Sequence, residues 1–343
     1  MTAPSANAVK ASQVAALDVL RCTGCGATDF AVGDDALRCT GCGVRYTIAD
    51  RIIDGLPNPS ADTVDELRGM MRETHLDGDL GHFMRHKVGR VSTIEERTKV
   101  SENDRSYYYG STEMNFRQML GHLPLTGRER VLEVGAEEEF PFLQPFRDAG
   151  CSCFATNIFF HYDDQQTRAD WPVRVLGDMH DLPYRDGAFD IVFLSATSHH
   201  STNLDRVVGE LARVTRPGGY VFNINEPIRG VFKHAFSGKR IEKGHQDASH
   251  RHELVHEHEY SIFEYLRAFR RNQLELRASL FADYYASRIA SAHVDGVRFA
   301  RVAKVVSHAW RRPLVRRILL GPGLWIGQAT IGLQMNVLLS KPG

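Results

Sequence analysis

The chain shows no charge imbalance, because its 343 residues include 42 lysines and arginines and 42 aspartates and glutamates. A balanced chain has no overall field that attracts nucleic acid, so the composition predicts no nucleic-acid partner. Met1–Leu20 lacks the charged start and continuous apolar run of a secretory signal, and we expect a flexible lead-in over residues 1–18 of a cytoplasmic protein. Hydrophobic residues make up 43% of the chain, which is ample for a globular core.

The chain is also poor in cysteine, with six in total, and four of them form two CxxC pairs: Cys22, Cys25, Cys39 and Cys42. Without an export signal, reduced thiols and metal binding are favoured over disulfides. Two such turns can present four thiolates to one tetrahedral ion, which predicts a structural Zn²⁺ site in a ribbon over residues 19–57. The ribbon could present a substrate or dock a partner, or it could be only a metal-stapled folding unit.

Residues 58–125 follow the ribbon, and we interpret them as a helical linker or cap region. Asp65–Arg72 has a helical pattern, and Ser92–Leu120 is a second helical stretch that Tyr107–Tyr109 interrupts. These tyrosines could cap a bound ligand, although three adjacent side chains cannot all face one way on a helix.

Val175–Pro227 has the pattern of one strand–helix–strand unit. Asp190–Ser195 is a short apolar run, typical of a strand buried on both faces. Apolar residues then recur at helical spacing over 204–214, behind Asn203 as an N-cap. Tyr220–Ile224 is a second apolar run, so the segment predicts a right-handed parallel unit.

The same segment resembles the type 11-like core of class I S-adenosylmethionine-dependent methyltransferases. The residues that carry the resemblance are Gly177-Asp178, Leu182-Pro183, Phe189-Asp190, His200 and Arg216-Pro217-Gly218-Gly219. It implies an α/β domain over residues 126–343, with a seven-stranded, mostly parallel, doubly wound sheet, helices on both faces and an inserted helical segment at about 284–320. The ribbon resembles the small zinc ribbons of activator subunits of RNA and protein methyltransferases.

The resemblance also implies that S-adenosylmethionine binds where the parallel strands end. By position in the family pattern, its contacts would be Glu133, Gly135, Ala136, Asn157, Asp178, Met179 and Ser195. Two places depart from that pattern. Glu137 and Glu139 stand at two glycine positions, with Glu138 between them, and Asn157 stands where an acid would meet the ribose. Carboxylates there would attract the ammonium and sulfonium of the cofactor and repel its carboxylate. The alternative is that the loop has lost its ligand.

Two adjacent histidines, His199 and His200, follow the strand that ends at Ser195. We predict His199 as the base that takes a proton from an acceptor hydroxyl, and His200 as a packed neighbour in the same catalytic position. Further along, His252-Glu253-x-x-His256 has the spelling of a zinc peptidase but lacks the third histidine. A second divalent metal, a substrate contact or solvated histidines are the interpretations left open there.

The C-terminal part interleaves apolar and basic residues over 298–320. Such a stretch could contact a membrane surface or an anionic substrate, or it could pack on the sheet with its charges in water. Ile318–Ser340 is free of charge, but Gly321-Pro322-Gly323 makes it a poor membrane span. We predict a final antiparallel strand over Ile331–Leu339.

The leading hypothesis is methyl transfer to a hydroxyl of a sugar or another small molecule, so that the partner would be a small-molecule or glycan acceptor. The glutamates at 137–139 and Asn157 favour a second hypothesis, a methyltransferase-like binding or scaffold protein that no longer holds the cofactor. A third is RNA or protein methylation with the ribbon as docking module. The sequence makes no prediction of oligomeric state.

Overall fold

The computed structural model of the chain describes most of the ribbon and of the sheet-forming residues. The described residues are 16–49, 51–73, 76–77, 88–91, 116, 120–136, 142–162, 172–230, 258, 260–279, 312, 314, 318, 325–326 and 335–343. Several predicted features lie outside them: Tyr107–Tyr109, the glutamates at 137–139, the His252–His256 motif and most of 284–320. Among the described residues, no helix is both long and apolar enough to span a membrane.

The chain forms strands and helices with the following bounds. The strands are β1 Phe30–Val32, β2 Ala36–Cys39, β3 Arg45–Ala49, β4 Ile52–Asp54, β5 Leu76–Asp77, β6 Val88–Val91, β7 Arg130–Val134, β8 Ser152–Asn157, β9 Phe160–Tyr162, β10 Val173–Leu176, β11 Phe189–Ser195, β12 Thr215–Glu226, β13 Glu275–Ser279 and β14 Met335–Ser340. The helices are α1 Ala61–Glu73, α2 Gln144–Asp148, α3 Leu204–Val214 and α4 Ile262–Arg271, with a 3₁₀ turn at Ser198–His200.

Within the described residues, one sheet of eleven strands includes the ribbon and the later strands, in the order β1-β2-β3-β4-β10-β8-β7-β11-β12-β14-β13. Neighbours from β4 to β12 are parallel, whereas the ribbon strands and β14 pair antiparallel. The prediction of a seven-stranded, mostly parallel sheet is therefore wrong, because the sheet is mixed and larger. The physical reason is that β4, the last ribbon strand, pairs with the edge strand β10 and adds the ribbon to the sheet. Strands β5, β6 and β9 form a separate small sheet.

Two apolar layers cover the two faces of the large sheet. One contains α3, α4 and the ribbon residues Leu37 and Tyr46, and the other contains Phe146 of α2. Helices on both faces confirm the doubly wound prediction. Because the central strands are covered on both sides, they consist of nearly continuous apolar runs, as in β11 (FDIVFLS).

Local signals set the ends of the two long helices beside the site. The side chain of Asn203 accepts a hydrogen bond from the amide of Arg206, as predicted for the N-cap of α3. Ser261 and Glu264 form a reciprocal capping box at the start of α4. The predicted helix 204–214 is confirmed, and the following strand β12 already begins at Thr215.

The ribbon is held on the sheet by arginine contacts as well as by strand pairing. Arg185 donates hydrogen bonds to the carbonyl oxygens of Leu17, Leu20 and Thr28, at 2.6–3.0 Å. Arg21 forms an ion pair with Asp181 at 2.7 Å. These contacts connect the start of the ribbon to the loop that follows β10, which is also a loop of the site described next.

Candidate functional site

A cavity of about 830 Å³ lies where β7, β8, β10 and β11 end. Ligands of open parallel sheets bind outside the carboxyl ends of the strands, so this is the expected place for a site. The described wall has two parts. The strand ends contribute Gly135, Asn157, Gly177–Asp181 and Ser195–Thr197. The opposite side consists of Thr23 of the first cysteine turn, most residues of Gly55–Glu66 and some residues of His200–Arg206.

Gly135 makes a tight turn after β7 possible. Its φ is +74°, a left-handed conformation that favours glycine, and a Cβ there would lie 2.3 Å from the Thr197 side chain. The amides of Gly135 and Ala136 both donate to the carbonyl oxygen of Thr156. The backbone of the first loop therefore reaches the cavity without a side chain in the way.

Asp178 lies at the end of β10 with its carboxylate held on both oxygens. Oδ2 accepts a hydrogen bond from Thr63 Oγ1 at 2.7 Å, and Oδ1 accepts one from the His180 amide at 2.8 Å and lies 2.7 Å from His180 Nδ1. Burial opposes ionisation, but the contacts with His180 and Thr63 outweigh it, so the pKa of Asp178 lies below its usual value. A carboxylate offers about four acceptor positions, so roughly one remains for a ligand donor.

Asn157 and Ser195 tie neighbouring loops together at the cavity wall. The Asn157 side chain donates to the carbonyl oxygen of Ala136 at 3.0 Å and accepts from the amide of Ile158 at 2.7 Å. Ser195 Oγ accepts from Asn225 at 3.1 Å. Both residues line the cavity, and these hydrogen bonds hold their side chains in place.

His199 points away from the cavity and toward a buried carboxylate. Its Nδ1 lies 3.1 Å from Glu226, whose side chain is fully buried at the end of β12. Glu226 also accepts hydrogen bonds from the amides of Thr197, Ser198 and His199, at 2.8–3.1 Å. Burial opposes its ionisation, but His199 and these amides outweigh it and hold the pKa of Glu226 below the usual value. Glu226 thus fixes the turn that carries both histidines.

His200 is the histidine of this pair that lines the cavity. Its Nδ1 lies 3.3 Å from Glu66 of α1, and its side chain is 30% exposed. A carboxylate beside one ring nitrogen orients an imidazole and leaves the other ring nitrogen to accept a proton. The pair can therefore take up a proton from a group in the cavity.

The structure brings most of the predicted site residues to one cavity. Gly135, Asn157, Asp178, Met179, Ser195 and His200 line it. Glu133, Ala136 and His199 do not: Glu133 is 1% exposed inside β7, Ala136 is 2% exposed, and His199 faces Glu226. The assignment of catalytic and cofactor roles to all of these residues stays a prediction.

Sequence reasoning missed several residues of the wall, among them Thr63, Glu66 and His180. Thr63 and Glu66 stand in a region interpreted as a linker, and only the packing of α1 against the strand ends brings them to Asp178 and His200. The sequence did contain a signal for His180, because an aspartate side chain often accepts a hydrogen bond from the backbone amide two residues later, and His180 is two residues after Asp178.

The four ribbon cysteines form a cluster of the kind predicted. Their sulfurs lie within 4.8 Å of one another, with 3.6 Å between Cys22 and Cys42 and 3.5 Å between Cys25 and Cys39. Bonds of about 2.3 Å from sulfur to a tetrahedral zinc ion require sulfurs about 3.8 Å apart, so the donor set fits that ion. The other two cysteines, Cys151 and Cys153, are buried in the second apolar layer, where burial raises the pKa of Cys153 to about 12.

Residues 132–223 match the family model of a methyltransferase domain. Among curated proteins, the chain is 27% identical over 146 residues to a glycine/sarcosine/dimethylglycine N-methyltransferase of Actinopolyspora halophila, covering 40% of this chain and 26% of the relative. It is 30% identical over 110 residues to the 27-O-demethylrifamycin SV methyltransferase of Amycolatopsis mediterranei, covering 30% and 40%. The chain thus spans less than half the length of these relatives, and the similarity is to methyltransferases.

Solved structures give weaker similarity. A geranyl diphosphate C-methyltransferase of Streptomyces coelicolor is 16% identical, with 83% of this chain and 100% of that chain covered and a TM-score of 0.47. A complex of the Trm112 methyltransferase activator with a methyltransferase from Haloferax volcanii gives 15% identity, 72% and 95% coverage and a TM-score of 0.44. Scores of this size carry no argument about function.

Proposed function

We propose that this protein transfers a methyl group from S-adenosylmethionine to a hydroxyl of a sugar or another small polar molecule. The observation that carries the proposal is the cavity at the strand ends of a methyltransferase domain, where Asp178 and Gly135 stand together. When bound there, the cofactor would supply an electrophilic methyl group on sulfur. Asp178 would accept from the adenine amino group through its remaining acceptor position, and Gly135 would leave room along the first loop.

On the acceptor side, the chain supplies a base and a polar wall. His200, oriented by Glu66, would take the proton of the attacking hydroxyl, which replaces the sequence-based choice of His199. Asn58, Ser60 and Thr202 line the same cavity and offer amide and hydroxyl groups. Such side chains hydrogen-bond a hydroxylated acceptor, and this supports a sugar or a similar molecule over an apolar one.

We also propose that Cys22, Cys25, Cys39 and Cys42 bind a structural Zn²⁺ ion. The first cysteine turn contributes Thr23 to the cavity wall, and the Thr23 amide donates to the buried Tyr46 hydroxyl at 2.8 Å. The ion would therefore stabilise a ribbon that is itself part of the site.

The test is transfer of labelled methyl from S-adenosylmethionine to a panel of sugars, nucleotide sugars and amines. We expect label in hydroxylated acceptors. In His200→Gln, kcat should fall by about 100-fold or more, because base catalysis typically contributes at least that much. The matched control is His122→Gln, an exposed histidine away from this cavity, which should keep full activity. Label found only in amines would contradict the hydroxyl acceptor, and full activity of His200→Gln would contradict the base.

A further inference from the structure

His180 is a second histidine of the cavity wall, and its ring contacts a different part of the site with each nitrogen. Nδ1 lies 2.7 Å from Asp178 Oδ1, and the His180 amide donates to the same oxygen at 2.8 Å. Nε2 lies 3.3 Å from Ser201 Oγ. The imidazole therefore connects the acid that follows β10 with the residue that ends the turn at Ser198–His200.

Ser201 is firmly held at the end of that turn, where it is fully buried. Its Oγ accepts a hydrogen bond from the Asn203 amide at 3.0 Å, and its carbonyl oxygen accepts one from the Tyr260 hydroxyl at 2.6 Å. Ser201 directly follows His200 in the chain. A contact that fixes Ser201 therefore also fixes the backbone from which His200 enters the cavity.

One assignment of protons satisfies all of these groups. In a neutral imidazole one nitrogen donates and the other accepts. The Asp178 carboxylate can only accept, so the proton belongs on Nδ1 of His180. Nε2 then accepts from the Ser201 hydroxyl, whose oxygen accepts from the Asn203 amide. The ring thus has one orientation that serves Asp178 and Ser201 together.

The surrounding backbone has supports that do not involve the imidazole. Arg206 of α3 donates to the carbonyl oxygen of His180 at 2.6 Å. Thr63 of α1 donates to Oδ2 of Asp178, the oxygen that His180 does not contact. A substitution of the ring therefore leaves the loop attached on both sides, and its effect is confined to the two contacts of the ring nitrogens.

We propose that His180 is a positioning residue for methyl transfer. Its Nδ1 aims the Asp178 carboxylate at the cofactor, and its Nε2 fixes Ser201 and with it the turn that carries the base His200. The inference rests on the proposed function, because Asp178 and His200 have these roles only in a methyltransferase. Since each nitrogen serves a different step, cofactor binding and the chemical step should be separable by substitution.

Two substitutions of His180 each remove one contact. The amide nitrogen of asparagine can replace Nδ1, and that of glutamine can replace Nε2. His180→Asn should keep the dissociation constant for S-adenosylhomocysteine within about twofold of the parent value and lower kcat by about fivefold. His180→Gln should keep kcat and raise that dissociation constant by about tenfold, since a charged acceptor loses a hydrogen bond.

Ser201→Ala removes the partner of Nε2 alone. It should lower kcat as His180→Asn does and leave cofactor binding unchanged, and the two substitutions together should lower kcat little more than either one, because they break the same contact. The matched controls are Ser152→Ala, at the exposed start of β8, and His122→Asn, an exposed histidine that does not line this cavity. Both controls should behave as the parent does, and thermal melting of every variant verifies folding.

A second measurement does not depend on an acceptor. The ring signals of His200 in an NMR spectrum, identified by their loss in His200→Gln, should shift in Ser201→Ala and in His180→Asn and stay in place in Ser152→Ala. The signals report whether the contact of Nε2 with Ser201 orients the turn, whatever the activity of the protein is.

The outcomes separate this inference from the function on which it rests. A parent chain that does not bind S-adenosylhomocysteine would contradict both. A parent that binds it, with the His180 variants and Ser201→Ala equal to the parent, would overturn the positioning role alone. Losses of binding and kcat that are the same in His180→Asn and His180→Gln, in step with a lower melting temperature, would assign His180 a purely structural role and also overturn the proposal.

Discussion

Thr63 donates its hydroxyl to Asp178 at 2.7 Å, and the same hydroxyl lies 2.8 Å from Ser60 Oγ. Replacing Thr63 with valine keeps the shape and removes the donor, so one oxygen of the carboxylate loses the contact that orients it. We predict that Thr63→Val raises the dissociation constant for S-adenosylmethionine by about tenfold, since a hydrogen bond to a charged group contributes about 1.5 kcal/mol. Titration calorimetry measures this dissociation constant.

A matched control for that variant exists at the other end of the sheet. Thr126 also donates its hydroxyl to a carboxylate, that of Glu129, at 2.7 Å, before the start of β7. Thr126→Val should leave the dissociation constant for the cofactor unchanged. If both variants bind the cofactor as the parent does, the Thr63 contact does not position Asp178 for a ligand.

Glu226 links stability to pH at the residue scale. Its pKa is lower in the folded chain than the usual value, so its contribution to stability is complete above the unfolded pKa and is lost as pH falls through the folded pKa. We predict that Glu226→Gln lowers the free energy of unfolding by about 2 kcal/mol at pH 7, because three amides and His199 lose a charged acceptor.

The difference between the parent and Glu226→Gln should shrink as the pH is lowered, because the parent then carries a protonated Glu226 as well. Urea unfolding of both proteins at a series of pH values measures this difference in the free energy of unfolding. A difference that stays constant from neutral pH to acid pH would show that the charge of Glu226 is not what holds the turn at Ser198–His200.

At the scale of elements, a change that unfolds the ribbon should also disturb the cavity. Because Thr23 and Gly55–Glu66 line the cavity and β4 extends the sheet, loss of the ribbon should loosen one wall of the site. We predict that Cys39→Ser lowers the melting temperature, removes zinc from the purified protein and weakens S-adenosylmethionine binding. Metal analysis and calorimetry on the same preparations measure these three effects.

The control for the ribbon is a cysteine outside it. Cys153→Ser changes a thiol in the second apolar layer and should lower stability without a loss of zinc. A parent protein that contains no zinc, or a Cys39→Ser variant that binds the cofactor as the parent does, would contradict the link between ribbon and cavity.

Elements that depend on local pattern were predictable from the sequence. The helix 204–214 has its periodic apolar face and its Asn203 cap, and β11 has its apolar run, so both follow from spacing alone. The joining of the ribbon to the sheet was not predictable in this way. It depends on the pairing of β4 with β10, which lies more than 100 residues further along the chain. The three residues of β4, Ile52–Asp54, carry no sequence signal that predicts which strand they pair with.

At the scale of the whole molecule, the site is assembled from parts that sequence order keeps separate. Strand ends could be located from the family resemblance, which placed Asp178 and Ser195 at the cavity. The sequence favoured His199 over His200 as the base, but neighbouring side chains on a tight turn point in different directions. The buried Glu226 holds His199 away from the cavity, and His200 lines it. Thr63 and Glu66 come from a third part of the chain, through the packing of α1.

The most direct measurement of the central claim is calorimetry of the purified full chain with S-adenosylmethionine and with its demethylated product. We predict binding with dissociation constants below about 1 mM, abolished in Asp178→Ala and retained in Asp186→Ala, whose carboxylate is exposed and pairs with Arg213. Absence of binding for both compounds, or equal binding in Asp178→Ala, would contradict the account and favour a scaffold that has kept the methyltransferase fold without its cofactor.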